Sequence, residues 1–492
     1  MKKYLLSIDQ GTTSSRAVIF NQQLEVVSSS QQEFSQIYPN PGWVEHDPEE
    51  IWFSVKNVCK SVLKKSNLRA DQISGLGVTN QRETTLLWDS QTGKCVCNAI
   101  VWQDRRTTKY CLNLQNEGLQ KVINEKTGLR LDPYFSASKI AWILNNVDEA
   151  RKLSESNKLL FGTIDSFLLW RLTGGKIHAT DATNASRTLL FNIHSQDWDE
   201  ELLKIFSIPR KLLPIVKDSA THFGETEENL FGAKIPILSI LGDQQAALMG
   251  QAGLREGMTK STFGTGCFTI ANTGKNALAS KNKLLTTVAA RLNGSVTYGL
   301  EGSIFVAGSA IQWLRDELMI INSAADTEEI ANRVGVIDNI TVVPAFVGLG
   351  APYWNPNTRG AILGLTRGTS KEEITTATIQ SVAFQAYDLQ QAMTDDGITP
   401  GIIRVDGGMA SNNWFIQFLS DVLNIPIERP KNIESTVLGV AYLAALSAEI
   451  LKTTDQISTL WECEKRFEPS MSSDTRELLL HNWRKAVNII QN

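Results

Sequence analysis

The stretch Leu5-Leu6-Ser7-Ile8-Asp9-Gln10-Gly11-Thr12-Thr13-Ser14-Ser15-Arg16-Ala17-Val18-Ile19-Phe20 decides the fold. An apolar run ends in an acid, a turn of Gln, Gly, Thr and Ser follows, and a second apolar run returns. The pattern predicts a β-hairpin. Its tip concentrates backbone N–H groups and hydroxyls, and Gly11 permits a tight bend. A concavity of this kind holds phosphate oxygens. Asp9 stands at the end of a buried strand, where a bare carboxylate is costly without a partner. Two partners suit it: its own turn, which it would cap, or a hydrated Mg2+ beside a polyphosphate.

A related element lies about half a chain away. Lys260-Ser261-Thr262-Phe263-Gly264-Thr265-Gly266-Cys267-Phe268-Thr269-Ile270 again reads as strand, Gly/Thr turn and strand. Two phosphate-type hairpins in two halves suggest a duplicated architecture in which each half clamps one polyphosphate. Glu301-Gly302-Ser303 follows. In Ala307-Gly308-Ser309-Ala310-Ile311-Gln312, small residues open a helix, for close approach to a nucleotide or for close helix–strand packing. Further on, the strand Ile402-Ile403-Arg404-Val405 runs into Asp406-Gly407-Gly408-Met409-Ala410-Ser411-Asn412. A helix with Phe415, Phe418, Leu419, Val422 and Leu423 at helical spacing comes next. A Gly-Gly turn between strand and helix lets a flat ligand lie on backbone, so Gly408 and Asn412 are candidates for contacts to adenine or the α-phosphate.

Three polar clusters sit at the ends of apolar runs, where ligands bind in open α/β sheets. Ile73–Thr79 delivers Asn80-Gln81-Arg82-Glu83-Thr84-Thr85. Neighbouring Arg82 and Glu83 supply donors and acceptors in one place, as each hydroxyl of a small polyol requires; a surface ion pair is the plainer alternative. Ala99-Ile100-Val101-Trp102 ends in an indole that packs on a carbon skeleton or in the core. Ile235–Leu241 ends in Gly242-Asp243-Gln244-Gln245, where Asp243 is either a helix N-cap or a catalytic group. A helix N-terminus would lower its pKa. Tyr134, just before the helix that begins near Ser136, can offer its hydroxyl to a ligand. At Asp47-Pro48-Glu49-Glu50 a helix opens, with Asp47 as N-cap, Pro48 in the first position and Glu50 completing a capping box.

Length, composition and charge narrow the function classes. At 492 residues the chain accommodates two or more domains. A net charge of -4 argues against a nucleic-acid partner. Asp9 interrupts the first apolar run too early for a secretory segment, and the apolar run Leu438–Leu451 is too short to span a bilayer. The expectation is a cytoplasmic protein without membrane insertion. Six cysteines without a Cys-x-x-Cys pair read as reduced thiols, and the scattered histidines have no metal-ligand spacing. The P-loop, the Rossmann fingerprint, the protein-kinase loop and the nucleophile elbow are absent.

Asp9–Ser14, Gly264-Thr265-Gly266 and Asp406-Gly407-Gly408 together resemble the actin/hexokinase-type ATPase fold. Tyr134–Asn146 and Gly360-Ala361-Ile362-Leu363-Gly364-Leu365 through Gln380 resemble the two signatures of the FGGY carbohydrate kinases. Pro41–Pro48, Thr79–Thr84, Gly242–Ala246 and Phe346–Trp354 are most similar to the glycerol-phosphorylating members. The resemblance implies an α/β fold of two actin-like (ribonuclease H-like) lobes, each with a βββαβα core, around a central cleft. The N-terminal domain would cover 1–250 and the C-terminal domain 251–492. It implies ATP-dependent phosphorylation of glycerol to sn-glycerol 3-phosphate with Mg2+, and a homodimer or homotetramer. The polyol would be held by Arg82, Glu83, Tyr134, Asp243 and Gln244, with Trp102 and Phe268 against its carbons. The nucleotide would be held by Thr12, Thr13, Ser14, Thr265, Gly308, Gln312, Gly408 and Asn412, with Arg16 near its phosphates. Asp243 would be the base and Asp9 would hold Mg2+ through water. Lys234 stands where members regulated by fructose 1,6-bisphosphate carry Arg, and Pro469–Leu480 differs from members controlled by a phosphocarrier protein. A kinase for another small polyol or ketose is the alternative within the family; a non-catalytic ATPase-fold protein is the alternative outside it, and it gives residues 80–83 no role.

Overall fold

The computed structural model describes residues 3–355 and 357–491. Strands β1 (Tyr4–Gln10), β2 (Ser14–Phe20) and β3 (Val26–Glu33) form an antiparallel meander. Helix α1 (Pro48–Lys65) returns the chain to β4 (Ile73–Asn80), which pairs parallel with β1. Helix α2 (Ser136–Asn146) belongs to a long excursion before β5 (Ala220–Glu225) and β6 (Pro236–Gly242) complete the sheet in the order β5-β6-β4-β1-β2-β3. Helix α3 (Asp243–Gly250) follows β6 directly.

The second half repeats this plan. Strands β7 (Thr259–Phe263), β8 (Cys267–Gly274), β9 (Leu285–Leu292) and β10 (Ser295–Ile304) are followed by α4 (Gly308–Asp316) and α5 (Lys371–Asp395). Then come β11 (Ile403–Asp406), α6 (Asn413–Leu423), β12 (Ile427–Pro430), α7 (Ser435–Ser447) and β13 (Cys463–Phe467). The second sheet has the order β9-β10-β8-β7-β11-β12-β13. Its run β10-β8-β7-β11-β12 has the same sense of pairing as β3-β2-β1-β4-β6 of the first sheet. The expected pair of α/β lobes is present.

Alternation along β1 and β2 explains how the first sheet is sandwiched. Leu6, Ile8, Ala17 and Ile19 face α1, with Ile51, Val55 and Val58. Leu5, Val18 and Phe20 face the other way, onto Val437, Val440, Ala441 and Ala444 of α7. A strand buried on both faces loses its polar alternation, as the sequence of β1 shows. Helix α7, although late in the chain, therefore packs on the first lobe. It crosses α3 at very close range: a Cβ on Gly439 would lie 1.9 Å from the carbonyl oxygen of Ala246, and one on Gly250 1.9 Å from that of Ser435. Only glycine permits these helices to touch backbone to backbone.

Asp47 caps α1 by accepting from the Glu49 N–H, with Pro48 in the first turn. The capping box expected at Glu50 does not form. Its carboxylate instead accepts from the Ser35 N–H at 2.8 Å, a donor supplied by the chain leaving β3. No helix among the described residues is long and apolar enough to cross a membrane.

Candidate active site

The polar clusters read from the sequence meet where the two sheets face each other. Strands β1 and β4 are parallel neighbours, so Asp9, aligned with Thr79, and residues 80–83 leave the same sheet edge. Strand β6 pairs parallel with β4 and places Gly242 beside Asn80. Asp243 thus arrives next to Arg82. Arg82 Nε lies 3.1 Å from Asp243 Oδ1 and 3.9 Å from Glu83 Oε1. Glu83 itself has φ +61°, a left-handed conformation that turns the chain sharply at the site.

Asp243 is the first residue of α3, with Gly242 in the N-cap position. Its Oδ1 also accepts from the Gln244 N–H at 2.7 Å, whereas Oδ2 receives no hydrogen bond from the described residues. The side chain is 30 % exposed, while Arg82 beside it is 2 % exposed. Loss of hydration pushes the Asp243 carboxyl above the ordinary range, opposed by Arg82, the Gln244 N–H and Lys260. The helix-terminus expectation had the opposite sign: the Gln244 N–H does act to lower the pKa, but loss of hydration outweighs it. Gln244 Oε1 accepts from Lys260 Nζ at 2.6 Å, which leaves its amide N–H groups available.

Three aromatic rings form one wall. Trp102 stands edge-on to Tyr134, with centroids 5.6 Å apart, and to Phe268 at 6.3 Å. Phe268 comes from β8 of the second lobe, so the wall spans both halves. Trp102 Nε1 donates to Thr12 Oγ1 at 3.0 Å. The indole therefore joins the polyol cluster to the first phosphate turn.

In that turn Gly11 N–H donates to the Ser14 carbonyl at 2.9 Å, Thr13 is exposed and Ser14 is half-buried. Arg16 is ion-paired with Glu434, just before α7. Asp9 is raised to about 7 by burial and by Asp243, with Arg16 opposing and Glu434 adding to the rise. Asp9 thus feels two carboxylates, Asp243 and Glu434, against the single guanidinium of Arg16. A divalent cation fits this excess of negative charge, and Asp9 is the residue that would hold it through water.

The second hairpin is braced by α4. The Thr265 carbonyl accepts from the N–H groups of Ala307 and Ser309, each at 3.0 Å, and a Cβ on Gly308 would lie 2.6 Å from the Gly264 carbonyl oxygen. Gly407, at φ +87°, passes so close to Phe263 that a Cβ would lie 2.5 Å from its carbonyl oxygen. Gly408 faces open space. Asn412 accepts from the Phe415 N–H as the N-cap of α6 and donates to Thr327. Gln312 is exposed one turn along α4 from Gly308. These two side chains make no hydrogen bond to the other predicted nucleotide residues among those described.

Sequence reading missed the groups behind Arg82 and Glu83. Glu301, in the middle of β10, takes both ends of the Arg82 guanidinium: Nη1–Oε2 is 2.5 Å and Nη2–Oε1 3.1 Å. Arg187 donates to Glu301 Oε1 at 2.9 Å and to Glu83 Oε1 at 2.7 Å. All four side chains are at most 2 % exposed. Burial works to raise the Glu301 pKa, but Arg187 and Arg82 outweigh it and hold it at about 2. The available signal was Glu301 itself, a charge inside the otherwise buried strand Gly299–Ser303, which must be paired to be there.

The family model for the N-terminal domain of the FGGY family of carbohydrate kinases matches residues 4–250, and that for the C-terminal domain matches residues 259–448. Glycerol kinase 1 of Pseudomonas aeruginosa is 55% identical over 491 residues, covering 100% of this chain and 99% of the relative. The crystal structure of Plasmodium falciparum glycerol kinase with ADP superposes with a TM-score of 0.93 at 36% identity, covering 99% of this chain and 98% of that one. Gluconate kinase from Lactobacillus acidophilus, at 22% identity and a TM-score of 0.89 with 99% and 97% coverage, shares the fold. The chain belongs to the FGGY family of carbohydrate kinases.

Proposed function

We propose that this protein phosphorylates glycerol with ATP, giving sn-glycerol 3-phosphate by direct in-line transfer of the γ-phosphoryl group. The observation that carries the reading is the convergence of Arg82, Glu83 and Asp243 beneath the Trp102–Tyr134–Phe268 wall. The Arg82 guanidinium has five N–H donors. Asp243 faces Nε, Glu301 takes one donor on each Nη, and Gln245 Oε1 takes another on Nη1 at 3.2 Å. One N–H remains. On Glu83, Oε1 is engaged by Arg187 and Oε2 receives no hydrogen bond from the described residues. One free donor beside one free acceptor suits a hydroxyl, and the aromatic wall suits a short carbon chain.

Asp243 Oδ2 accepts the proton of the attacking hydroxyl while Arg82 and the Gln244 N–H fix Oδ1. Its raised pKa makes it a better base than an exposed aspartate. The Thr12–Ser14 turn and the Gly264–Gly266 turn present N–H groups and hydroxyls from opposite lobes to the phosphates. Mg2+, when bound near Asp9, would supply charge neutralisation between the β- and γ-phosphates. Adenosine would lie along Gly408, with Gln312 and Asn412 at its edge. Approach of the lobes excludes water, which would otherwise take the phosphoryl group.

The two functional halves are 1–250 and 251–492, the protein acts in the cytoplasm, and it assembles as a homodimer or homotetramer in this reading. Release of ADP from ATP and Mg2+, measured with a panel of polyols and ketoses, tests it. Glycerol-dependent turnover is expected. Turnover with another polyol or ketose only would overturn the substrate and keep the mechanism. No stimulation by any of them would favour a non-catalytic ATPase-fold protein.

A further inference from the structure

We propose that Glu301 and Arg187 are positioning residues of the polyol site, and that Glu301 makes the setting of Arg82 depend on the second lobe. The inference rests on the proposed polyol reading and extends it to two residues outside the substrate contacts.

Arg82, Glu301, Arg187 and Glu83 form a buried ring of alternating charge. Arg82 pairs with Glu301 through 2.5 and 3.1 Å contacts, Glu301 with Arg187 at 2.9 Å, and Arg187 with Glu83 at 2.7 Å; Glu83 Oε1 lies 3.9 Å from Arg82 Nε. The ring occludes particular atoms. Glu301 uses one N–H on each terminal nitrogen of Arg82, and Arg187 uses one oxygen of Glu83. With Gln245 on the second Nη1 N–H and Asp243 at Nε, what is left over is the donor and the acceptor that would meet the polyol. The geometry of those two atoms is therefore set by the two residues behind them. Arg187 is fully buried and packed between aromatic rings, with its guanidinium carbon 5.7 Å from the Tyr134 ring centre and 5.3 Å from that of Phe135.

The ring also joins the lobes. Arg82 and Glu83 follow β4 of the first sheet, whereas Glu301 lies in β10 of the second, opposite Ile270 and Leu285. A movement that separates the sheets would withdraw Glu301 and leave Arg82 with Asp243 as its nearest counter-ion. Arg82 would then rotate toward the base and away from the hydroxyl. Polyol affinity is highest when Glu301 is seated.

Wild-type enzyme is compared with Glu301→Gln and Arg187→Lys, measuring KM for glycerol, KM for ATP, kcat and the thermal midpoint. Glu301→Gln keeps shape and removes the bidentate acceptor; Arg187→Lys keeps charge but replaces the separate Nε and Nη2 donors to Glu83 and Glu301 with a single ammonium. The expected result is a roughly 10- to 100-fold rise in KM for glycerol in Glu301→Gln, a smaller rise in Arg187→Lys, and a KM for ATP within about twofold of wild type. Unchanged KM for glycerol in folded variants would overturn the proposal, as would equal rises for glycerol and ATP. If Glu301→Gln does not fold, Arg187→Lys decides. Failure of both to fold would assign the ring to the fold alone and overturn the proposal. A wild-type enzyme without glycerol-dependent turnover contradicts the proposed substrate instead, and the variants are then read with the polyol or ketose that supports turnover.

Discussion

Arg82 and Glu301, 219 positions apart in sequence, meet in a bidentate ion pair that ties the end of a first-lobe strand to the middle of a second-lobe strand. Both groups are buried, so neither can be hydrated if the other is lost. Arg82→Met should therefore reduce both stability and activity. The expected loss is about 3–5 kcal/mol in unfolding free energy, the usual cost of breaking a buried pair, with glycerol turnover near background. Urea denaturation followed by tryptophan fluorescence checks the first part, and ADP release checks the second.

Trp102 touches the polyol wall through Tyr134 and Phe268 and the first phosphate turn through Thr12. Its replacement by Ala should raise KM for glycerol and KM for ATP together, each by about tenfold, the scale of one aromatic contact or one hydrogen bond. Phe268→Ala, which has the wall contact without the Thr12 bond, should raise KM for glycerol alone. Steady-state kinetics with each substrate varied in turn separates the two patterns.

Two glycines of the nucleotide side differ in what surrounds them. Gly308→Ala would drive a methyl group to 2.6 Å from the Gly264 carbonyl oxygen, whereas Gly408→Ala enters open space. Gly308→Ala should lower the thermal midpoint of the ligand-free protein and weaken ATP binding. Gly408→Ala should leave that midpoint within about one degree and weaken ATP binding only, because the methyl group obstructs ligand rather than protein. Calorimetric melting with and without ATP distinguishes them.

How much of this was legible in the sequence depended on range. The two hairpins, the strand delivering Arg82 and Glu83, and the junction at Asp243 announce themselves within a dozen residues, because apolar runs and turn residues are local signals. The ring behind the site was not legible, since no local pattern says that Glu301 will find Arg82 and Arg187. The Glu50 capping box failed for the same reason: Ser35, from another element, reached the carboxylate. Asp243 illustrates a sign error of the same origin. The helix terminus is visible in sequence, but the burial that outweighs it is tertiary.

Asp388 offers a pH test away from the site. It accepts from Tyr353 Oη at 2.7 Å and Trp483 Nε1 at 2.6 Å, and burial lifts its pKa to about 6 against those donors. A carboxyl raised in the folded state binds its proton more tightly there than in the unfolded chain. Its contribution to stability is therefore greatest below about pH 4, near the unfolded value, and declines as pH rises through about 6. Asp388→Asn keeps an oxygen acceptor and removes the titration. Its unfolding free energy should change less between pH 4 and 6.5 than that of wild type, as read from chemical denaturation at each pH.

The most direct test of the central claim is the rate of glycerol-dependent ADP release by wild type and by Asp243→Asn, each saturated with ATP, Mg2+ and glycerol. The substitution preserves size and the Oδ1 contacts and removes the proton acceptor. A fall in kcat of about 10²- to 10⁴-fold, with KM for glycerol changed far less, is the result expected of a lost general base. An Asp243→Asn enzyme that turns over within about tenfold of wild type would contradict the assignment of Asp243 as the base.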